Sequence, residues 1–179
     1  MFKLKNVPNI LTIVRFILIP FIIYFAIHND YVTTVIILII SGITDVLDGY
    51  IARKFDFITD FGKLMDPLAD KMTQLATLIV LVIQAVIPFW IVAVVIFKEF
   101  IMVAGASFLY GKELVVSSRW WGKLATVLFY IAIFASLLIR YFGLNYTFDL
   151  YIYYVAVILT VFSLGMYFKS FWMQGYIKK

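Results

Sequence analysis

Asp45, Asp48, Asp66 and Asp70 carry the chemistry this sequence can do. They belong to a stretch that holds six of the chain's ten acidic residues between Asp45 and Asp70. Asp45 and Asp48 are spaced i, i+3, and Asp66 and Asp70 i, i+4, so on helices each pair projects from one face. The short connection over 54–61 predicts two antiparallel neighbours whose carboxylate pairs converge on one point. Four carboxylates drawn together and partly out of water repel one another, and they take up protons unless a cation neutralises them. A hard divalent ion such as Mg²⁺, Mn²⁺ or Ca²⁺ suits an all-oxygen donor set. The residues between the pairs suit a phosphate-bearing ligand. Gly49 and Ala52 leave the backbone open, Arg53 offers a planar fork for phosphate oxygens, Gly62 begins the second helix, and Pro67 is expected near that helix's N-terminus, where its missing N–H costs least. A metal bridging phosphoryl oxygens, with a spare carboxylate to take a proton from an attacking hydroxyl, makes a phosphoryl-transfer site.

The elements that must position these residues are membrane spans. Of 179 residues, 65% are hydrophobic and 14% charged, which excludes an ordinary soluble globule. The absence of cysteine removes disulfides, thiolate metal sites and cysteine nucleophiles, and a single histidine, His28, argues against triad chemistry. Six spans of about 20 residues fit one membrane domain over 1–179. The sequence predicts an interfacial segment over 1–9, ended by the turn signal Pro8-Asn9, then helices near 10–27, 31–53, 62–83, 89–110, 122–139 and 150–168. The breaks are His28-Asn29-Asp30, the polar stretch 54–61, Gln84 to Pro88, the loop 111–123 and the turn 140–149. No cleavable signal peptide is expected, because Arg15 interrupts the first apolar run. An even number of spans puts both termini on one side. Thirteen of the fifteen Lys and Arg residues then fall on that side, Arg140 falls opposite and Lys98 lies within the fourth span. The positive-inside rule makes the terminal side cytoplasmic, and it explains the net charge of +5 without nucleic acid as a partner.

The ordered string Asp45-x2-Asp48-Gly49-x2-Ala52-Arg53-x8-Gly62-x3-Asp66-x3-Asp70 resembles the complete signature of the CDP-alcohol phosphotransferase family, with eight defined positions across 26 residues. The six-span layout resembles that family too. So do Asn6 to Thr12 with Arg15, and Asp60 to Lys71. The resemblance implies an all-α integral membrane enzyme that uses two Mg²⁺ or Mn²⁺ ions. It would transfer a substituted phosphate from a CDP-linked lipid, CDP-diacylglycerol, to an alcohol and release CMP. By position it makes Asp45, Asp48 and Asp66 metal ligands, Asp70 both a metal ligand and the general base, and Gly49, Arg53 and Thr59 contacts to the CDP moiety. It also implies a homodimer in the cytoplasmic membrane, with the active site facing the cytoplasm. Glycerol 3-phosphate is the expected acceptor and phosphatidylglycerol the alternative.

Three basic residues are candidates for an acceptor phosphate. Lys98, deep in the fourth span, needs a carboxylate such as Glu99 or one of the aspartates, or else an anion in a wet cavity. Arg119 and Lys123, near the cytoplasmic mouth, suit an acceptor phosphate and equally suit simple topological anchoring. An ion-coupled transporter is the rival reading, since intramembrane carboxylates also mark ion pathways. Against it, the acids lie near one end of their spans and no repeated broken helices occur. A membrane scaffold has no reason to gather four carboxylates.

Overall fold

The computed structural model describes residues 7–57, 59–109 and 120–177. Among the described residues there are six α-helices and no strand. They are α1 (Val7–Ile27), α2 (Tyr31–Lys54), α3 (Asp60–Ile83), α4 (Phe89–Leu109), α5 (Trp120–Tyr141) and α6 (Phe148–Ile177). Among the described residues, four stretches are long and apolar enough to cross a membrane: Pro8–Ile27, Tyr31–Lys54, Trp120–Tyr141 and Phe148–Lys169. α3 falls outside that set because Asp66, Asp70 and Lys71 crowd its first half. The protein is an integral membrane protein.

The breaks between helices follow local chemistry. Asn29, in the left-handed region at φ 61°, ends α1, and Asp30 caps α2 by accepting the Thr33 N–H at 3.1 Å. Thr59, extended, caps α3 by accepting the Gly62 N–H at 3.0 Å. Gln84 Nε2 donates to the Ala26 carbonyl at 2.7 Å and to Asn29 Oδ1 at 3.0 Å, tying the α3 end to the α1–α2 turn.

Three expectations need correction. Pro8 and Asn9 do not form a turn before the first helix; both lie inside the first turn of α1, where an N–H has no helical partner to lose. Pro67 is in the interior of α3, because capping by Thr59 starts that helix at Asp60, ahead of Gly62. α6 continues past the apolar run to Ile177, since Lys169 ends the hydrophobic stretch without ending the helix.

The backbone gathers into two compact units. The first holds α1, α2, α3 and Leu137–Leu144. α1 buries a single stripe, Thr12, Arg15, Ile19, Ile22 and Ala26, at alternating spacings of three and four residues. It packs against both α2 and α3, while those two barely touch each other among the described residues. The expected direct pairing of α2 with α3 is therefore replaced by an arrangement in which α1 serves both. The opposite face of α1 exposes Ile13, Ile17, Phe21 and Tyr24, apolar side chains suited to lipid.

The second unit holds α4, α6 and α5 as far as Ser136. Here α4 packs on α6, with Trp90 stacked on Tyr154 at 5.7 Å between centroids. Ser136 donates to the buried carboxylate of Asp149 at 2.7 Å, in the first turn of α6, where the helix dipole also favours a negative charge.

Candidate active site

The aspartates of α2 and α3 meet through a residue of α1. Arg15 is only 1% exposed, in a helix otherwise almost wholly apolar, and an unpaired guanidinium there would be costly. Its Nη1 donates to Asp45 Oδ1 and its Nη2 to Asp48 Oδ2. Nη2 also donates to Asp66 Oδ1 at 3.2 Å. One planar fork thus joins three carboxylates from two helices. Asp70, one turn beyond Asp66, lies close enough for its charge to act on Asp45.

The site has a closed end and an open end. Asp48 is 2% exposed, like Arg15 at the floor, whereas Asp45 is 49% and Asp66 33% exposed. Thr12, fully buried one turn before Arg15, donates its hydroxyl to Asp66 Oδ1 at 2.5 Å. The Pro8 carbonyl, at 3.1 Å, is the competing acceptor for the same proton. At the start of α3, Thr59 Oγ1 donates to Asn9 Oδ1 at 2.7 Å while accepting from Gly62. A Cβ on Gly62 would stand 3.2 Å from Thr59 Oγ1, 3.4 Å from Asn9 Oδ1 and 3.5 Å from Asp66 Oδ2. Glycine here keeps open a small cradle walled by three oxygens.

Gly49 and Arg53 lie together on the outer turn of α2. A Cβ at Gly49 would sit 3.5 Å from an Arg53 guanidinium nitrogen, in ordinary contact, so packing alone does not demand glycine there. The exposed Arg53 fork folds back along its helix and is free to meet a ligand oxygen.

The donor set fits a hard divalent cation. It consists of carboxylate, hydroxyl and amide oxygens, and when all four aspartates are ionised Arg15 offsets only part of their charge. Among the described residues, no three acidic, histidine or cysteine side chains are arranged as a metal-binding group, and the Arg15 guanidinium contacts Asp45, Asp48 and Asp66. Arg15 supplies a counter-charge to three of the four carboxylates, Asp45, Asp48 and Asp66.

Asp45, Asp48 and Asp66 are thus brought together with Gly62 and Thr59, with Asp70 adjacent and Gly49 and Arg53 on the neighbouring turn. Lys98 and Lys123 belong to the second unit, where Lys98 donates to Glu99 Oε1 at 2.5 Å and Lys123 is exposed. Arg119 lies outside the described residues. Asn9, Thr12 and Arg15 were not among the expected site residues. Their signal was available in their spacing of three, which sets three polar groups along one side of an apolar helix.

Residues 5–163 match the family model described as CDP-alcohol phosphatidyltransferase. A CDP-diacylglycerol–glycerol-3-phosphate 3-phosphatidyltransferase of Haemophilus influenzae is 37% identical over 172 residues, covering 92% of each chain. A protein of the same name from Bacillus subtilis is 36% identical over 184 residues, covering 93% of this chain and 95% of its own. A probable cardiolipin synthase (CMP-forming) of Drosophila melanogaster is 36% identical over 107 residues, covering 59% of this chain and 33% of its own.

Proposed function

The chain belongs to the CDP-alcohol phosphatidyltransferase family, and on that premise we propose that it transfers the phosphatidyl group of CDP-diacylglycerol to glycerol 3-phosphate and releases CMP. The observation that carries this reading is the gathering of Asp45, Asp48 and Asp66, from separate helices, around one point beside Asp70.

Asp45, Asp48, Asp66 and Asp70 would hold two Mg²⁺ or Mn²⁺ ions, which when bound neutralise charge on the phosphoryl oxygens. The chain's own residues do the rest. Arg53 and Thr59 bind the CDP moiety, Arg53 through its exposed fork and Thr59 through a hydroxyl that now donates to Asn9. Gly49 lets the nucleotide approach the α2 backbone. Asp70 takes the proton of the acceptor hydroxyl, whose oxygen attacks the phosphorus bearing the diacylglycerol. The bond from that phosphorus to the CMP oxygen breaks, and CMP leaves. Arg119 and Lys123 bind the acceptor phosphate, and Lys98 is a deeper candidate whose pairing with Glu99 argues for a structural role. We further read the protein as six spans, with both termini and the site on the cytoplasmic side, from the thirteen basic residues on the terminal side. By family resemblance it is a homodimer.

Purified protein supplied with CDP-diacylglycerol and a panel of acceptors tests the reading. CMP release should require glycerol 3-phosphate, stop in EDTA, and fall by orders of magnitude in Asp70→Asn. Arg119→Gln and Lys123→Gln should raise KM for glycerol 3-phosphate while leaving that for CDP-diacylglycerol nearly unchanged. Cardiolipin formed from phosphatidylglycerol would overturn the acceptor and favour the weaker match to the Drosophila relative. Full activity in EDTA would overturn the metal.

A further inference from the structure

Arg15 is the most deeply buried charged group at the site, and it pairs with three carboxylates at once. The assignment of its donors is uneven. Nη1 serves Asp45, Nη2 serves Asp48 and Asp66, and Nε is buried with no hydrogen-bond partner among the described residues. A guanidinium held only for stability would be expected to satisfy all its donors in so dry a place. The contacts are uneven as well. The Asp66 contact is a long one at 3.2 Å, and Asp45 and Asp66 are the two carboxylates that solvent reaches, while Asp48 is closed off with Arg15 at the floor.

We propose that Arg15 is the resident counter-cation of the aspartate cradle: without a divalent ion its guanidinium holds Asp45, Asp48 and Asp66 together, and an entering ion must take Asp45 and Asp66 from it while Asp48 remains its anchor. The inference rests on the reading of these aspartates as metal ligands. It makes Arg15 a positioning residue with two opposed effects. It keeps like charges from splaying before the ion arrives, and it competes with the ion for the same oxygens. Because the guanidinium is a full positive charge hydrogen-bonded to the very ligands, competition outweighs preorganisation in the balance of ion affinity. A lysine at this position would keep the charge but lose the fork, so it could not span three carboxylates.

Mn²⁺ binding, followed by electron paramagnetic resonance on EDTA-stripped and dialysed protein, reads this directly and without turnover. Arg15→Gln should bind Mn²⁺ roughly tenfold or more tighter than the wild type, as expected when charge-assisted bonds no longer compete. Arg15→Lys should fall between the two. In EDTA, Arg15→Gln should melt below the wild type, and Mn²⁺ should raise its midpoint by the larger amount. Should Arg15→Gln fail to fold, the wild-type chain carries the test. With ¹⁵N in its arginine side chains, and Arg15 assigned through Arg15→Lys, its Nη resonances should shift when Mg²⁺ is added. Mn²⁺ bound by the wild type but no tighter by Arg15→Gln would overturn the role given to Arg15 alone, as would Nη resonances that ignore Mg²⁺. Failure of the wild type to bind Mn²⁺ at all would overturn both this inference and the metal reading beneath it.

Discussion

Replacing Thr12 by valine removes one hydroxyl and almost no volume from a fully buried position. That hydroxyl donates to Asp66 Oδ1 at 2.5 Å, the same oxygen that receives Arg15 at 3.2 Å. Hydrogen bonds to charged groups contribute about 1.5–3 kcal/mol each. Asp66 is a third exposed, so water can partly replace the lost donor, and the lower end of that range applies. About 1.5 kcal/mol corresponds to roughly tenfold in rate if the orientation of Asp66 matters in the transition state. Thr12→Val should therefore lower kcat/KM for CMP release by about tenfold. KM for CDP-diacylglycerol should change little, because Thr12 contacts the carboxylate and is placed on no part of the nucleotide. Thr12→Ser keeps the donor and should stay within about threefold of the wild type, the residue of a buried methyl group lost. Wild-type rates in a folded Thr12→Val preparation would refute the argument. So would a Thr12→Ser enzyme as impaired as Thr12→Val, since packing and not the hydroxyl would then be responsible.

The remaining expectations concern topology and acid stability. In this cysteine-free chain, single cysteines at Ser117 and Asn145 should be labelled by an impermeant reagent from opposite sides of the membrane, and labelling of both from one side of intact cells would refute the six-span arrangement. At the start of α2, hydrogen bonds from the Thr33 side chain, then from its backbone N–H, hold the Asp30 carboxyl below the ordinary carboxylate range. Its folded pKa thus lies under its unfolded one, so the stabilisation is complete above the unfolded value and is lost as pH falls through the folded one. The melting-point difference between the wild type and Asp30→Ala should be full at neutral pH and shrink below about pH 4, and a difference indifferent to pH would show that the charged cap is not its source.

Much of the helical layout is legible locally, because each break has its own chemistry. Asn29 tolerates the left-handed backbone, Asp30 and Thr59 are capping residues, and Gly143 supplies a positive φ after α5. The expected limits fail where a local signal has two readings. Pro8-Asn9 is a turn signal, but a proline is equally at home in the first turn of a helix, and α1 takes that option. Lys169 marks the end of an uncharged run, yet one charged residue does not end a helix, and α6 runs on to Ile177. The packing order was not legible at all. A short connection between 54 and 61 suggests that α2 and α3 are neighbours, and nothing in their periodicity says that α1 will serve both.

The same gap explains how the site was half read. Converging carboxylates need a cation, and that argument holds whichever cation answers it. Counting Arg15 with the basic residues of the cytoplasmic side treats it as a topological marker. The energetics of the bilayer say more, because an arginine within an apolar span has to find an anionic partner or water. The aspartates of the signature are among the acidic residues at the same end of the neighbouring spans, so they were candidate partners for Arg15 before any distance was known. The structure adds that a single fork reaches both helices, through Asp45 and Asp48 on one and Asp66 on the other. On the role proposed for Arg15, that fork would count in the affinity for a divalent ion alongside the carboxylates, because it is hydrogen-bonded to the same oxygens.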